Sequence, residues 1–473
     1  MPHADKIYYH TTTLCPLCEK LLPGVVQSRD GGVFVSRVCP DHGTLDALVC
    51  SDIAWYESLP KFDVAPEKPS NPRAKTVKGC PDDCGLCPAH RQKAGTAAIE
   101  ISNRCNNDCP VCLADNQATF EMSPQQVLEI VESALQSQST VDVVTLSGGE
   151  PTIHPQLFEI LDLLSARKEV GRISINTNGI RVAQDDAFLQ RLQGYSKVYV
   201  SLHYDGQGAK ALRNTEFAMQ QRALDRLCDR GISVVPVVLG AQGVNEKELG
   251  SITLGLLTRS VSVKSAILSL MAYTGSGGSR FEGDPKTRLT IPGALDEIEL
   301  GTNGVLRKSD FMPLPMPNPI CAAIGYFLVD GPTVTPLIRC AGVDRVLDFT
   351  KNSHFASVDD RLEDFFRDSI DRVFAEGAAI EDGELILPRL KAFITRLFPK
   401  ETKLDNAERA RIVEESIKTV FVMQFMDGWT FDSLRLQKCS CQHLLPDGVR
   451  VPSCGYYAYH RRFDGRFSRS THG

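Results

Sequence analysis

The chain has 473 residues, 42% hydrophobic and 23% charged, with a formal net charge of −6. These values suit a soluble globular protein with one large domain and one or two small ones, and they argue against a nucleic-acid binder held by backbone phosphates. No run of about 18 apolar residues reads as a membrane span, and the opening Met-Pro-His-Ala-Asp-Lys lacks the pattern of a signal peptide, so a cytoplasmic protein is expected. Sixteen cysteines then need explaining. A disulfide framework belongs to small secreted domains, whereas clustered thiols in a reducing compartment favour metal ligation.

Residues 1–60 read as a first unit. Cys15-Pro-Leu-Cys18 is a CxxC turn, and Cys39-Pro-Asp-His42 is a second ligand pair about twenty residues on. Between them Gly31-Gly32 is followed by the alternating run Val33 to Val38, a strand after a turn. Two knuckles joined by a hairpin describe a rubredoxin- or zinc-ribbon-like module. Cys15, Cys18, Cys39 and His42 would hold one mononuclear iron or zinc, with Cys50 a possible replacement for His42.

Residues 61–94 begin as a Pro-, Lys- and Ser-rich linker and end in a cysteine triplet, Cys80-x₃-Cys84-x₂-Cys87. Residues 95–275 alternate strands and helices. The strands are placed at 97–101, 141–146, 172–176, 197–202, 233–239 and 265–271. Helices are placed at 124–136, with Ser123 as N-cap, and at 157–168 and 217–230. Six strands with intervening helices imply right-handed parallel crossovers and ligands at the strands' carboxyl ends. The fold class is therefore α/β, a partial (β/α)₆ barrel. Residues 276–473 form a C-terminal region. It opens with loop and a short helix, runs helical from about 356 to 416, and returns to strand-like character in the tail.

The second triplet, Cys105-x₃-Cys109-x₂-Cys112, repeats the first spacing but directly follows a predicted strand. Three thiolates suit three irons of a 4Fe–4S cluster and leave the fourth open. Some 35 residues on, the next strand ends in Gly148-Gly149-Glu150, where missing side chains let the backbone approach a ligand. Asn178 and Ser201 end strands three and four. His203 and Asp205 could be contacts or merely a satisfied polar loop, and 235–244 should pass beside an adenine through its backbone. Cys321, Cys340, Cys439, Cys441 and Cys454, added to Cys80, Cys84 and Cys87, make eight thiols, the number for two fully ligated auxiliary 4Fe–4S clusters. Cys228, inside a helical pattern, reads as core.

These motifs resemble the radical S-adenosylmethionine (SAM) superfamily. The order and spacing from Cys15 to Cys454 are similar to the branch that includes archaeal tetraether lipid synthase and 7,8-dihydro-6-hydroxymethylpterin methyltransferase. The resemblance implies SAM on the open iron of Cys105, Cys109 and Cys112, with Gly148, Gly149, Glu150, Asn178 and Ser201 as cofactor contacts. It also implies two auxiliary clusters and the mononuclear metal. Met316 stands where this branch often carries a cysteine, and Ser201-Leu202-His203-Tyr204-Asp205 where relatives more often show Gln and Phe. The expected activity is hydrogen abstraction from an unactivated C–H bond followed by C–C bond formation, of the lipid-chain coupling type. The alternative is C-methylation of a pterin-like or other small heterocycle. A lipid or small-molecule substrate and an electron donor such as flavodoxin or ferredoxin are the expected partners, with no nucleic acid. A non-catalytic iron–sulfur or zinc scaffold is the rival from another class.

Overall fold

The structure, a computed structural model, describes residues 5–466 apart from 73, 86, 115–119, 351–359, 378–379, 381 and 403. Strands β1 (Lys6–Leu14), β2 (Leu21–Arg29), β3 (Gly32–Cys39) and β4 (Gly43–Cys50) form an antiparallel sheet in chain order. The turn between β2 and β3 takes positive φ at Asp30 (47°) and Gly31 (80°), the twist a tight hairpin needs. Val26, Val33, Val35 and Ala47 bury one face against Ile53 and Tyr56 of the helix Ile53–Ser58.

Six parallel strands follow in sequential order: β5 (Thr96–Ser102), β6 (Val141–Gly148), β7 (Val170–Thr177), β8 (Val198–His203), β9 (Val234–Gly240) and β10 (Ser265–Leu270). Each matches a sequence-placed strand within two residues. Intervening helices cover the outer face, and their apolar stripes join the strands in one core that includes Ile99, Leu146, Ile173, Val200 and Leu268. The helix Pro124–Leu135 starts with a reciprocal cap between Ser123 and Gln126.

The C-terminal region contributes strands β11 (Met312–Pro313), β12 (Ala322–Asp330), β13 (Thr333–Pro336), β14 (Ile417–Gln424), β15 (Cys441–Leu444) and β16 (Arg450–Pro452). It extends the same sheet at both edges. β14 pairs parallel with β10 and carries β12 beyond it, while β15 pairs parallel with β5 and carries β16. The tail's strand-like character is therefore extension of the barrel sheet. Within the expected helical stretch the structure has the helices Asp360–Glu376, Gly383–Leu397 and Asn406–Ser416; the first residues expected there, 356–359, lie outside the described set. Phe365, Phe366, Leu390 and Phe393 build a separate core against Leu337 and Tyr326.

The segment of linker and first triplet is tied to the C-terminal region near both of its ends. Arg91 N donates to Gln437 O (2.6 Å) and Gly95 N to Ser440 O (2.9 Å), and the buried Lys438 ammonium bonds Val64 O (3.0 Å) and pairs with Asp63. The N-terminal sheet docks on the turn after β14: Tyr9 Oη donates to Asp432 Oδ2 (2.7 Å) and Arg37 Nη1 to Trp429 O (2.7 Å). Among the described residues no helix is long and apolar enough to cross a membrane.

Candidate active site and metal centres

The N-terminal knuckles converge. The ligand atoms of Cys15, Cys18, Cys39 and His42 all lie within 4.8 Å of one another, and His42 Nδ1 sits 3.5 Å from both Cys15 Sγ and Cys39 Sγ. A Cys₃His set of this compactness fits one tetrahedral ion, and the donor chemistry suits zinc. Cys50 is not part of it. Its thiol is buried at the end of β4 and donates to Asp52 O (3.2 Å).

The second triplet sits on the loop leaving β5, at the carboxyl end of the sheet. Asn107 Nδ2 bridges Cys109 Sγ (3.2 Å) and Arg213 O (2.9 Å), and Gly277 N donates to Cys112 O (3.4 Å). Burial pushes the Cys109 thiol up to about 11, with Arg213 pulling the other way. Three thiols outside any disulfide, held on one short loop, fit three irons of a cluster.

Gly148 and Gly149 answer first to the chain itself. A Cβ on Gly148 would lie 2.0 Å from Ser102 O, and one on Gly149 2.0 Å from Arg104 O. In that space Gly149 N donates to Ser102 O (2.7 Å) and Glu150 N to Arg104 O (2.8 Å). The Gly-Gly turn is thus stitched to the root of the cysteine loop. Glu150 is fully buried. Its carboxylate accepts from Thr152 N (3.0 Å), Thr152 Oγ1 (2.6 Å), Thr177 Oγ1 (2.6 Å) and Asn178 N (2.8 Å), binding the end of β6 to the end of β7. Burial raises its carboxyl against the pull of these bonds.

Asn178 Nδ2 donates to Asn106 Oδ1 (2.8 Å) inside the cysteine loop, and Ser201 Oγ lies 2.8 Å from Ser174 Oγ. His203 has a buried Nδ1 without a hydrogen-bond partner, and burial, with Arg213 next, pushes its imidazole well down. Asp205 is satisfied within the protein by Leu239 N (2.7 Å), Gln220 Nε2 (3.1 Å) and Arg213 Nε (3.1 Å). That is the satisfied polar loop. The segment expected beside an adenine is β9 and the turn after it, where Ala241 N donates to Asn245 Oδ1 (3.0 Å).

Seven of the remaining eight thiols gather. A hydrogen bond with Cys80 and burial push the Cys84 thiol up, with Cys87 and Cys439 adding to it. Burial does the same for Cys439, with Cys454, Cys441 and Cys321 adding to it. Cys340 stands apart and corrects the expected count of eight. It lies in the helix Leu337–Ala341, fully buried in the helical core, and donates to Pro336 O (3.5 Å). Arg435 is the residue that sequence reasoning missed. Its buried guanidinium touches Cys321 Sγ (3.4 Å) and Gln424 O (3.2 Å), while Nε and Nη1 have no hydrogen-bond partner. An arginine cannot shed its charge, so its burial here calls for anionic sulfur. The surroundings fit thiolate-bound iron.

A second unforeseen group lies on β5. Glu100, buried, pairs with Arg461 Nη1 (2.6 Å) and accepts from Tyr456 Oη and Tyr457 Oη (both 3.1 Å). An inward-facing carboxylate in an apolar strand was the available signal.

Residues 99–253 match the Radical SAM superfamily, and residues 7–51 match the HMPTM N-terminal zinc ribbon domain. The chain is 26% identical over 486 residues to 7,8-dihydro-6-hydroxymethylpterin dimethyltransferase of Methanocaldococcus jannaschii, across 96% of this chain and 94% of that protein. It is 27% identical over 212 residues to GTP 3′,8-cyclase of Chlorobaculum tepidum, across 42% of this chain and 62% of that one. Among solved structures it resembles Streptococcus suis SuiB bound to S-adenosylmethionine, with a TM-score of 0.37 and 15% identity, across 45% of this chain and 48% of that one.

Proposed function

We propose that this radical SAM protein is a C-methyltransferase acting on a pterin-like heterocycle. The observation that carries the reading is the near full-length likeness to the Methanocaldococcus jannaschii pterin dimethyltransferase, which includes the N-terminal ribbon as well as the barrel. Lipid-chain coupling, the first expectation from sequence, calls for a long apolar channel and has no comparable support.

In this reading Cys105, Cys109 and Cys112 would hold a 4Fe–4S cluster whose chemistry, fed one electron by the donor, would be the splitting of SAM into methionine and a 5′-deoxyadenosyl radical. The chain's own residues position that chemistry. The backbone bonds of Gly149 and Glu150 fix the cysteine loop against β6. Glu150 locks β6 to β7, and Asn178 ties β7 to the same loop. The Gly148–Gly149 turn, Asn178 and Ser201 line the ends of adjacent strands, where SAM would lie. Cys80, Cys84, Cys87, Cys321, Cys439, Cys441 and Cys454 hold auxiliary iron–sulfur clusters beside Arg435. The Cys₃His knuckle holds one zinc or iron ion. Flavodoxin or ferredoxin is the expected electron donor.

The test is anaerobic turnover of iron-loaded protein with SAM, a reductant, a reduced pterin and a folate-type methylene donor. 5′-Deoxyadenosine together with a pterin heavier by one methyl group supports the reading. 5′-Deoxyadenosine formation that no pterin stimulates, with unchanged pterin mass, overturns it.

A further inference from the structure

A cavity of about 420 Å³ opens where four parts of the chain meet: the metal-holding knuckle, the loop after β10, the turn after β14 and the helical turn Tyr456–His460. Four aromatic residues line it: Tyr273, Phe281, Trp429 and Tyr457. Gly275, Gly278, Gly283 and Gly428 bring backbone to the surface between them. Pro16 and Leu17, next to the metal ligand Cys15, form the knuckle's side of the wall.

The cavity adjoins the radical site through one loop. Tyr273 and Phe281 pack in the same apolar cluster as Cys109 and Val111. A Cβ on Gly275 would lie 2.7 Å from Cys112 O, so this loop crosses the cysteine triplet in backbone contact while also walling the cavity.

The aromatic walls are held from behind. Asp427, buried and paired with buried Arg288, accepts from both Tyr273 N (2.8 Å) and Trp429 N (2.9 Å). One carboxylate therefore sets the backbone positions of two of the rings. Tyr457 Oη is fixed between Glu100 Oε1 (3.1 Å) and His443 Nε2 (3.2 Å). Pre-set rings with backbone polar groups between them suit a flat heteroaromatic ligand, which stacks on its faces and hydrogen-bonds at its edge. The volume is that of a small-molecule site.

We infer that this cavity seats the flat heterocycle of the substrate, with the metal-held knuckle as one wall. The inference rests on the methyltransferase reading and gives its substrate a place. It also gives the N-terminal ribbon a task at the active site.

The experiment uses iron-loaded full-length protein and 6-hydroxymethylpterin as the probe. The chain has two tryptophans, so Trp55→Phe leaves Trp429 as the single tryptophan, excited selectively over the tyrosines. Saturable quenching of Trp429 is expected. Phe281→Ala should weaken the affinity roughly tenfold, the worth of one stacking face. Leu17→Ala, at a position 57% exposed and therefore undemanding for folding, should weaken it roughly threefold. Binding seen by calorimetry with silent Trp429, or unchanged affinity in both variants, overturns the inference even if the pterin is methylated. Quenching that both variants weaken, without any methylated product, upholds the cavity and overturns the methyltransferase reading. No pterin binding by either method overturns the inference, and together with unchanged pterin mass on turnover it overturns the methyltransferase reading too.

Discussion

Residues 80–87 and 105–112 carry the same cysteine spacing in opposite settings. The later triplet hangs from the end of a central strand, pinned by a glycine turn and open at the carboxyl face of the barrel. The earlier one lies on an irregular segment facing four C-terminal cysteines and a buried arginine. The difference teaches that spacing alone states how many irons can be held, while the surroundings state what the cluster can do. An open iron needs a loop whose mouth faces a ligand space. A fully ligated cluster needs thiols brought in from elsewhere and a charge to balance them.

The sharpest way to break this comparison is to remove one thiol from each triplet. Cys109→Ala should abolish 5′-deoxyadenosine formation and remove about four irons. Cys84→Ala should remove a similar amount of iron yet leave reductive SAM cleavage measurable. Equal loss of cleavage in both would mean the two settings do not divide the work.

Arg435→Met tests the balancing charge. In iron-loaded protein it should lower stability in urea by about 4 kcal/mol, the scale for uncoupling a buried charge from its partners. In iron-free protein the same change should be neutral or stabilising, because a buried cation with two unpartnered nitrogens is removed. Equal effects in both states would sever Arg435 from the clusters.

Gly149→Ala probes the pinning of the later triplet. The added methyl meets backbone at 2.0 Å, so a cost of about 3 kcal/mol is expected, with SAM cleavage slowed about tenfold. Full activity and an unchanged melting temperature would show that the glycine serves neither the loop nor its ligand.

The smallest effect concerns acid. Burial holds the His90 imidazole, three residues beyond the earlier triplet, at about 4. The unfolded chain takes up that proton near pH 6.5. Stability from this group is therefore complete above pH 6.5 and falls as pH drops toward 4, by about 1.4 kcal/mol per unit at most. The gap between urea midpoints at pH 7 and 5 should narrow in His90→Gln without closing, because burial also holds the imidazoles of His203, His443 and His460 down, and an unaltered pH slope would remove His90 from the account.

The barrel was legible because each of its strands is a short apolar run ending in a functional loop, and that pattern is local. The cysteine knuckles were legible for the same reason. Strands β14 and β15 were not, since nothing in residues 417–424 or 441–444 says which distant edge they join. Cys340 looked like its neighbours in a count of thiols. Only packing shows that it faces phenylalanines while Cys321, Cys439, Cys441 and Cys454 face one another. The glycines of the Gly-Gly-Glu turn were read as room for a ligand, but their nearest constraint is the backbone of Ser102 and Arg104. The pairing of Glu100 with Arg461 spans 361 residues, beyond the reach of any periodicity.

The extension of the sheet at both edges by late segments sets an order of events at the ribosome. β5 is among the first barrel strands made, yet Gln442, in its partner strand β15, lies 350 residues after the Gln92 it bonds. β10 likewise waits for β14. Until the last segment emerges, both flanks of the nascent sheet present unpaired backbone, the sort that recruits other chains. The cysteines of the earlier triplet are by then long synthesised, while Cys439, Cys441 and Cys454 arrive only with the closing strands. Completing the sheet and bringing together the thiols proposed for the auxiliary clusters are therefore a single late step, and a chain released before it would be both sticky and without the proposed ligand set.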